Sequence, residues 1–166
     1  MNSRQRILNA LKHQPVDRVP VDLGGTRQSG ISVFAYQKLL KALEITSVPH
    51  VFDVYQMLAE IDDEAAQRFC SDTVLLNRPA TAFGLSNATY KPFDLRGMDV
   101  MVPTDFDPQS DGHRGWILTR NGKTIAQMPE YGYYFDRLES YPGALHPDLD
   151  TWKPPQPQDS DWPYYA

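Results

Sequence analysis

The chain has 166 residues, a formal net charge of −5 from 16 basic and 21 acidic side chains, and 41% hydrophobic residues. It contains no Lys/Arg cluster and so lacks the electrostatic footprint of a nucleic-acid binder; no run approaches the roughly 18 apolar residues of a membrane span. The single cysteine, Cys70, cannot form an intrachain disulfide, and the N-terminus shows no apolar leader, so the expectation is a cytoplasmic protein with neither nucleic-acid nor membrane partners.

In chain order, Ser3 is placed to cap a first helix whose Ile7, Leu8 and Leu11 share one face, and Pro15 ends it. Arg18 to Leu23 reads as a short strand, although Pro20 removes one ladder donor, and Gly24-Gly25 breaks it. Ser32 suits the cap of a second helix reaching about Ile45, with Val33, Tyr36, Leu39, Leu40 and Leu43 inward. Val51 to Val54 is a second apolar stretch. Asp62 opens a helix through Phe69, where Asp62, Asp63 and Glu64 suit the positive helix N-terminus. Thr73 to Leu76 reads as a further strand. Strand and helix alternate on the scale of βα units around a largely parallel sheet.

Beyond Arg78 the pattern changes. Asp99 to Pro103 looks extended. Trp116 to Arg120 and Lys123 to Met128 flank Asn121-Gly122, a pair that tolerates the two positive φ angles of a type I′ turn and so predicts a hairpin. Tyr131 to Asp136 is a further strand candidate. Six prolines between Pro142 and Pro163 make the last segment an extended connection rather than a helix or central strand. The division is therefore an α/β domain over residues 1–141, with a hairpin insertion at about 99–136, and a Pro-rich tail over 142–166.

Chemistry-bearing residues are sparse. Arg27 and Gln28 lie in the loop after the first predicted strand, where a guanidinium can grip a carboxylate or a phosphate; the plainer reading is an arginine paired with a neighbouring acid. Gly24 and Gly25 let a ligand approach the backbone or simply serve a turn. Asp53 and Gln56 follow a predicted strand and can point into a site, although Asp53 equally suits a helix N-cap. His13, His50, His113 and His146 are scattered and none neighbours Cys70, so no metal site is expected from this chain alone. Cys70 reads as a small buried hydrophobe. Asp62/Asp63 and Asp105/Asp107 are explained by a helix start and a polar loop. Trp116, Tyr131, Tyr133, Tyr134 and Phe135 suit either a flat ligand or a core or subunit contact. No phosphate-binding glycine motif occurs.

Several of these stretches together resemble the uroporphyrinogen decarboxylase superfamily, and its methyltransferase-like branch more than the decarboxylases. The likeness runs through residues 4–30, through Val51 to Asp62 and Arg68 to Asp72, through Gly115-Trp116 and the hairpin, then Gly132 to Asp136, and finally Leu149 to Trp152. It implies the N-terminal portion of a (β/α)8 barrel carrying an inserted hairpin, in a chain shorter than the roughly 250 residues of a whole barrel. In the decarboxylases an Arg-Gln-Ala-Gly-Arg motif binds substrate carboxylates; Arg27-Gln28-Ser29-Gly30-Ile31 lies in register with it. Arg27, Gln28 and Gly30 match, and Ile31 replaces the second arginine, which removes one bidentate carboxylate partner. No aspartate between Leu75 and Ala80 matches the one that contacts pyrrole nitrogens in the decarboxylases.

The resemblance thus implies a segment of a corrinoid-dependent methyltransferase, with Arg27, Gln28 and Gly30 as substrate-binding candidates; Asp53, from its place after a predicted strand, is the fourth, and the catalytic residues are unassigned. Its substrate is a small molecule or a corrinoid. The family's zinc and corrinoid belong with a barrel half that this chain does not contain, so the isolated chain is expected to bind neither and to show little turnover. Two other readings stand beside it: a non-catalytic, self-associating binding module or remnant, or a decarboxylase of a tetrapyrrole-like substrate. An open half-barrel would self-associate or take up a complementary chain.

Overall fold

A computed structural model describes residues 1–138. Helix α1 (Ser3–Leu11) is followed by a long irregular loop, then β1 (Ile31–Ser32) and α2 (Val33–Ala42). Next come β2 (Val51–Asp53), β3 (Leu58–Ala59) and α3 (Asp63–Arg68). Six further strands complete the described chain: β4 (Tyr90–Asp94), β5 (Asp99–Pro103), β6 (Gln109–Ser110), β7 (Trp116–Arg120), β8 (Lys123–Met128) and β9 (Asp136–Arg137).

These strands form three small sheets, ordered β1-β3-β2, β4-β5 and β6-β7-β8-β9, and every ladder is antiparallel. Parallel contact among the described residues is confined to an isolated bridge between His50 and Met101. The expected barrel portion is therefore incorrect, and so is the largely parallel sheet. Parallel neighbours need a crossover of a dozen or more residues. Between β2 and β3 the chain has only Val54 to Met57, which turns it straight back on itself. The segments 18–23 and 73–76, expected as strands, form no ladder: the first is tied instead to the residues before the second, where Asp72 N–H donates to the Val21 carbonyl at 2.7 Å and Leu23 N–H reaches the Ser71 hydroxyl at 3.4 Å.

Local signals fare better than topology. Helix α1 forms where expected, but Asn2 rather than Ser3 caps it: the Asn2 side chain accepts from Gln5 N–H, and the Gln5 side chain accepts from Asn2 N–H. Leu11, expected inward, is 73% exposed. Asp62 caps α3 by accepting Ala65 N–H at 3.2 Å. The hairpin β7–β8 turns at Asn121 and Gly122, with φ of 51° and 73°. Tyr131 to Phe135 form no strand; only Asp136–Arg137 join the sheet. Tail residues 142–166 lie outside the described residues.

One apolar core spans all three sheets. Val33, Tyr36 and Leu40 of α2 pack with Val51, Val100, Val102 and Met128, all nearly or fully buried. Aromatic edges continue it: Phe93 meets Phe106, Phe106 meets Phe135, and Phe135 meets Phe83, with ring centroids 5.5, 5.9 and 6.4 Å apart in T-shaped pairs.

The N-terminal region is held by charge. Arg6 is buried and forks onto Asp17 through Nε at 2.7 Å and Nη2 at 2.9 Å, while its Nη1 reaches Asp72 at 2.5 Å. Arg18 grips the same buried Asp72 carboxylate with both terminal nitrogens, at 2.8 and 3.0 Å, and Val21 N–H adds a further bond at 3.0 Å. Burial alone would push Asp72 up; the bonds from Val21, Ser3, Arg18 and Arg6 outweigh it and hold the carboxyl well below its ordinary value.

Candidate functional site

The loop after the first helix braces itself before it presents any functional group. Gly24 N–H donates to the Ser29 carbonyl at 2.9 Å, and Gly30 N–H reaches the Arg27 carbonyl at 3.3 Å. Thr26 and Ser29 exchange hydroxyl and backbone bonds at 3.1 to 3.4 Å. Asp22 accepts from the Thr73 hydroxyl at 2.6 Å and from Gly25 N–H at 3.0 Å. Burial opposes ionisation of Asp22, but these bonds and one from Ser29 prevail, so its carboxyl sits below its ordinary value. Gly30 belongs to this packing: a Cβ there would lie 2.9 Å from Leu58 Cδ1 and 3.2 Å from the Arg27 carbonyl oxygen.

The braced loop sets Arg27 against Asp53. The Asp53 side chain is completely buried, and Arg27 Nε lies in ion-pair contact with its Oδ2, off the line of an N–H hydrogen bond. Asp53 Oδ1 accepts the backbone N–H groups of Tyr55 and Gln56 at 2.9 and 3.0 Å. Asp53 thus closes the β2–β3 turn rather than capping a helix. Its carboxylate serves two purposes: one oxygen fixes the turn, and the other orients the guanidinium. The Arg27 side chain is 30% exposed.

Of the four predicted binding residues, the structure brings Arg27 and Asp53 into contact. Gly30 packs beneath them on Leu58, and Gln28 points outward and is exposed. One further polar residue shares the sheet with Asp53. Ser32 and Asp53 both pair with Leu58, from opposite sides of β3, and the register of β2 shifts between Val51 and Asp53. Ser32 Oγ is buried without a hydrogen-bond partner, as is Gln37 Oε1 in α2. Ser32 was expected to cap α2, yet its hydroxyl makes no cap bond. Nothing in the sequence distinguishes an idle serine from a capping one; only the register across β3 does.

Other candidates are dispersed. Cys70 is exposed, not buried, with its backbone at φ 51°. Among the described residues no group of three or more His, Cys, Asp and Glu side chains could hold a metal ion. Phe135 is buried in the core and Trp116 packs on Phe93, whereas Tyr131, Tyr133 and Tyr134 are exposed, so the five aromatics do not form one platform. A separate cleft of about 350 Å³ between the 82–84 turn and the β7–β8 hairpin is lined by Phe83, Leu85, Asp105, Asp107 and Arg120 and includes none of the predicted binding residues. Among the described residues no helix is long and apolar enough to cross a membrane. Comparison with protein-family models, with curated proteins and with solved structures gives no significant match.

Proposed function

We propose that this chain binds a small anionic molecule, bearing a carboxylate or a phosphate, at the Arg27 loop. The observation that carries the reading is the Arg27–Asp53 pair. A wholly buried carboxylate anchored by two backbone N–H groups holds a partly exposed guanidinium in place. A planar fork fixed in this way matches the geometry of a carboxylate or phosphate and loses little further freedom on binding. Ser32, which pairs with Leu58 as Asp53 does and whose Oγ is buried and unpartnered, supplies a second contact for a ligand hydroxyl or oxygen.

The resemblance in residues 4–30 and 51–72 adds a reaction class: a segment of a uroporphyrinogen decarboxylase-like, corrinoid-dependent methyltransferase acting in the cytoplasm. Corrinoids carry the methyl group in such chemistry, and zinc activates the acceptor thiol. No step is assigned through the metal, and the part proposed for this chain is substrate binding at the Arg27 loop.

Titration of the chain with succinate and with inorganic phosphate, followed by NMR shifts of the Arg27 loop, tests the binding reading. Saturable shifts that vanish in Arg27→Ala and weaken in Arg27→Lys are expected, because a lysine keeps the charge but not the fork. Saturable binding that is indifferent to both substitutions would overturn it. Methyl transfer from methylcobalamin to a thiol by the chain alone would overturn the restriction to binding.

A further inference from the structure

Residues 73–77, Thr-Val-Leu-Leu-Asn, are the most exposed apolar stretch of the described chain. Val74 is 88% and Leu76 90% exposed, with Leu75 half-buried between them. Among the described residues, no hydrogen bond uses the backbone N–H or C=O of Val74, Leu75, Leu76 or Asn77. The stretch is anchored at its start, where Asp72 N–H bonds the Val21 carbonyl and the Asp72 carboxylate is gripped by Arg6 and Arg18. It is therefore a β-prone segment, anchored at Asp72, with open backbone groups and exposed side chains, a ready template for another strand.

We propose that residues 73–77 are a dimerisation edge, occupied by the same segment of a second copy running antiparallel. The sequence itself selects this occupant. About a two-fold axis through Leu75, each residue meets its counterpart in the other chain: Leu75 faces Leu75, Val74 faces Leu76, and Thr73 faces Asn77. Apolar meets apolar and polar meets polar at every position of this register. A shift by one residue sets Thr73 against Leu76 or Val74 against Asn77. A closed two-fold contact of this kind is isologous, so one patch serves both partners and assembly stops at the dimer. Asp72, committed to its own arginines, ends the pairing at Thr73. The Val74 and Leu76 side chains of the two copies then pack side by side on one face, and the partner strand bonds the open backbone groups along the shared edge, two gains from one contact.

Sedimentation of the full chain over a concentration series tests this. A reversible monomer–dimer equilibrium is expected. Val74→Lys with Leu76→Lys places four like charges across the axis and should weaken the dimer by about tenfold or more. Val74→Lys with Leu76→Glu sets lysine against glutamate in both pairs and should restore the dimer in a salt-sensitive form. Both substituted side chains are almost fully exposed in the monomer, and an unchanged circular dichroism spectrum confirms the fold. Leu75→Cys, in a Cys70→Ser background, should cross-link under mild oxidation. A chain that stays monomeric, or a dimer that ignores the two lysines or fails to cross-link at position 75, overturns the proposal.

Discussion

The phenolic oxygen of Tyr36 donates to Asp62 Oδ2 at 2.6 Å and accepts the Asp62 backbone N–H at 3.0 Å. One buried tyrosine on α2 thereby holds the residue that caps α3, because Asp62 Oδ1 still accepts Ala65 N–H. Tyr36→Phe leaves both Asp62 partners without the hydroxyl, and a loss of about 1–3 kcal/mol is expected from urea unfolding.

Alkaline titration probes the same pair. Burial, and then the Asp62 carboxylate, push the Tyr36 phenol well above its ordinary value of 10.0. The folded state therefore keeps the proton that the unfolded chain gives up. The contribution is complete below pH 10 and fades as the pH rises above it. Tyr36→Phe should flatten this alkaline limb of the stability curve, measured by denaturant midpoints at successive pH values.

In acid the carboxylates around Arg6 dominate. The Arg6 guanidinium, followed by the N-terminal amine, outweighs the effect of burial and holds Asp17 well below its ordinary 3.8; Asp72 is depressed as well. Here the folded state binds protons less readily than the unfolded chain. The stabilisation is complete above the ordinary carboxylate range and is lost progressively as the pH falls below 3.8. Asp72→Asn should lower the denaturation midpoint at neutral pH and reduce the steepness of acid unfolding.

Removing the arginine of the candidate site should also cost stability, apart from any ligand. Arg27→Ala strands a fully buried carboxylate, and breaking such a pair from one side costs on the order of 3 kcal/mol. Arg27→Met with Asp53→Asn removes both charges together and should recover part of the loss. Thermal unfolding of the two single variants and the double variant measures the coupling.

At the hairpin, Gly122 has φ of 73° and no heavy atom within 4 Å of the place a Cβ would occupy. Space is free there, so the penalty of Gly122→Ala is conformational alone, about 1–2 kcal/mol. A lower melting temperature with unchanged spectra is the expected outcome.

What the sequence discloses and what it hides follow from the range of each signal. The cap at Asp62, the inward face Val33-Tyr36-Leu40 and the Asn121-Gly122 hairpin are decided within a few residues of chain, and all three are legible. Sheet direction is decided by connection length: the Val54–Met57 turn that sends β3 back along β2 holds no glycine or proline to mark it. The exposure of Leu11, Val74 and Leu76 is likewise invisible to periodicity, which records a face but not whether anything covers it. Within the candidate site, Arg27 and Asp53 were legible one at a time. Their pairing was not, because it joins positions far apart in the chain, and the unpartnered Ser32 hydroxyl emerges only from the register across Leu58.

The cluster built on Asp72 also has a consequence for synthesis. Arg6 and its acceptor are separated by 66 positions, and Arg18 and the same acceptor by 54. A chain growing at about 5–20 residues per second makes Arg6 wait on the order of 3–13 s for that carboxylate to be added. During that interval α1 has its own cap and its ion pair with Asp17 but not the Asp72 carboxylate, so this helix, made before α2 and α3, is not fully held before them. Its anchoring comes only once translation has passed α3 and added Asp72, so the bonds that hold α1 depend on a residue made long after it.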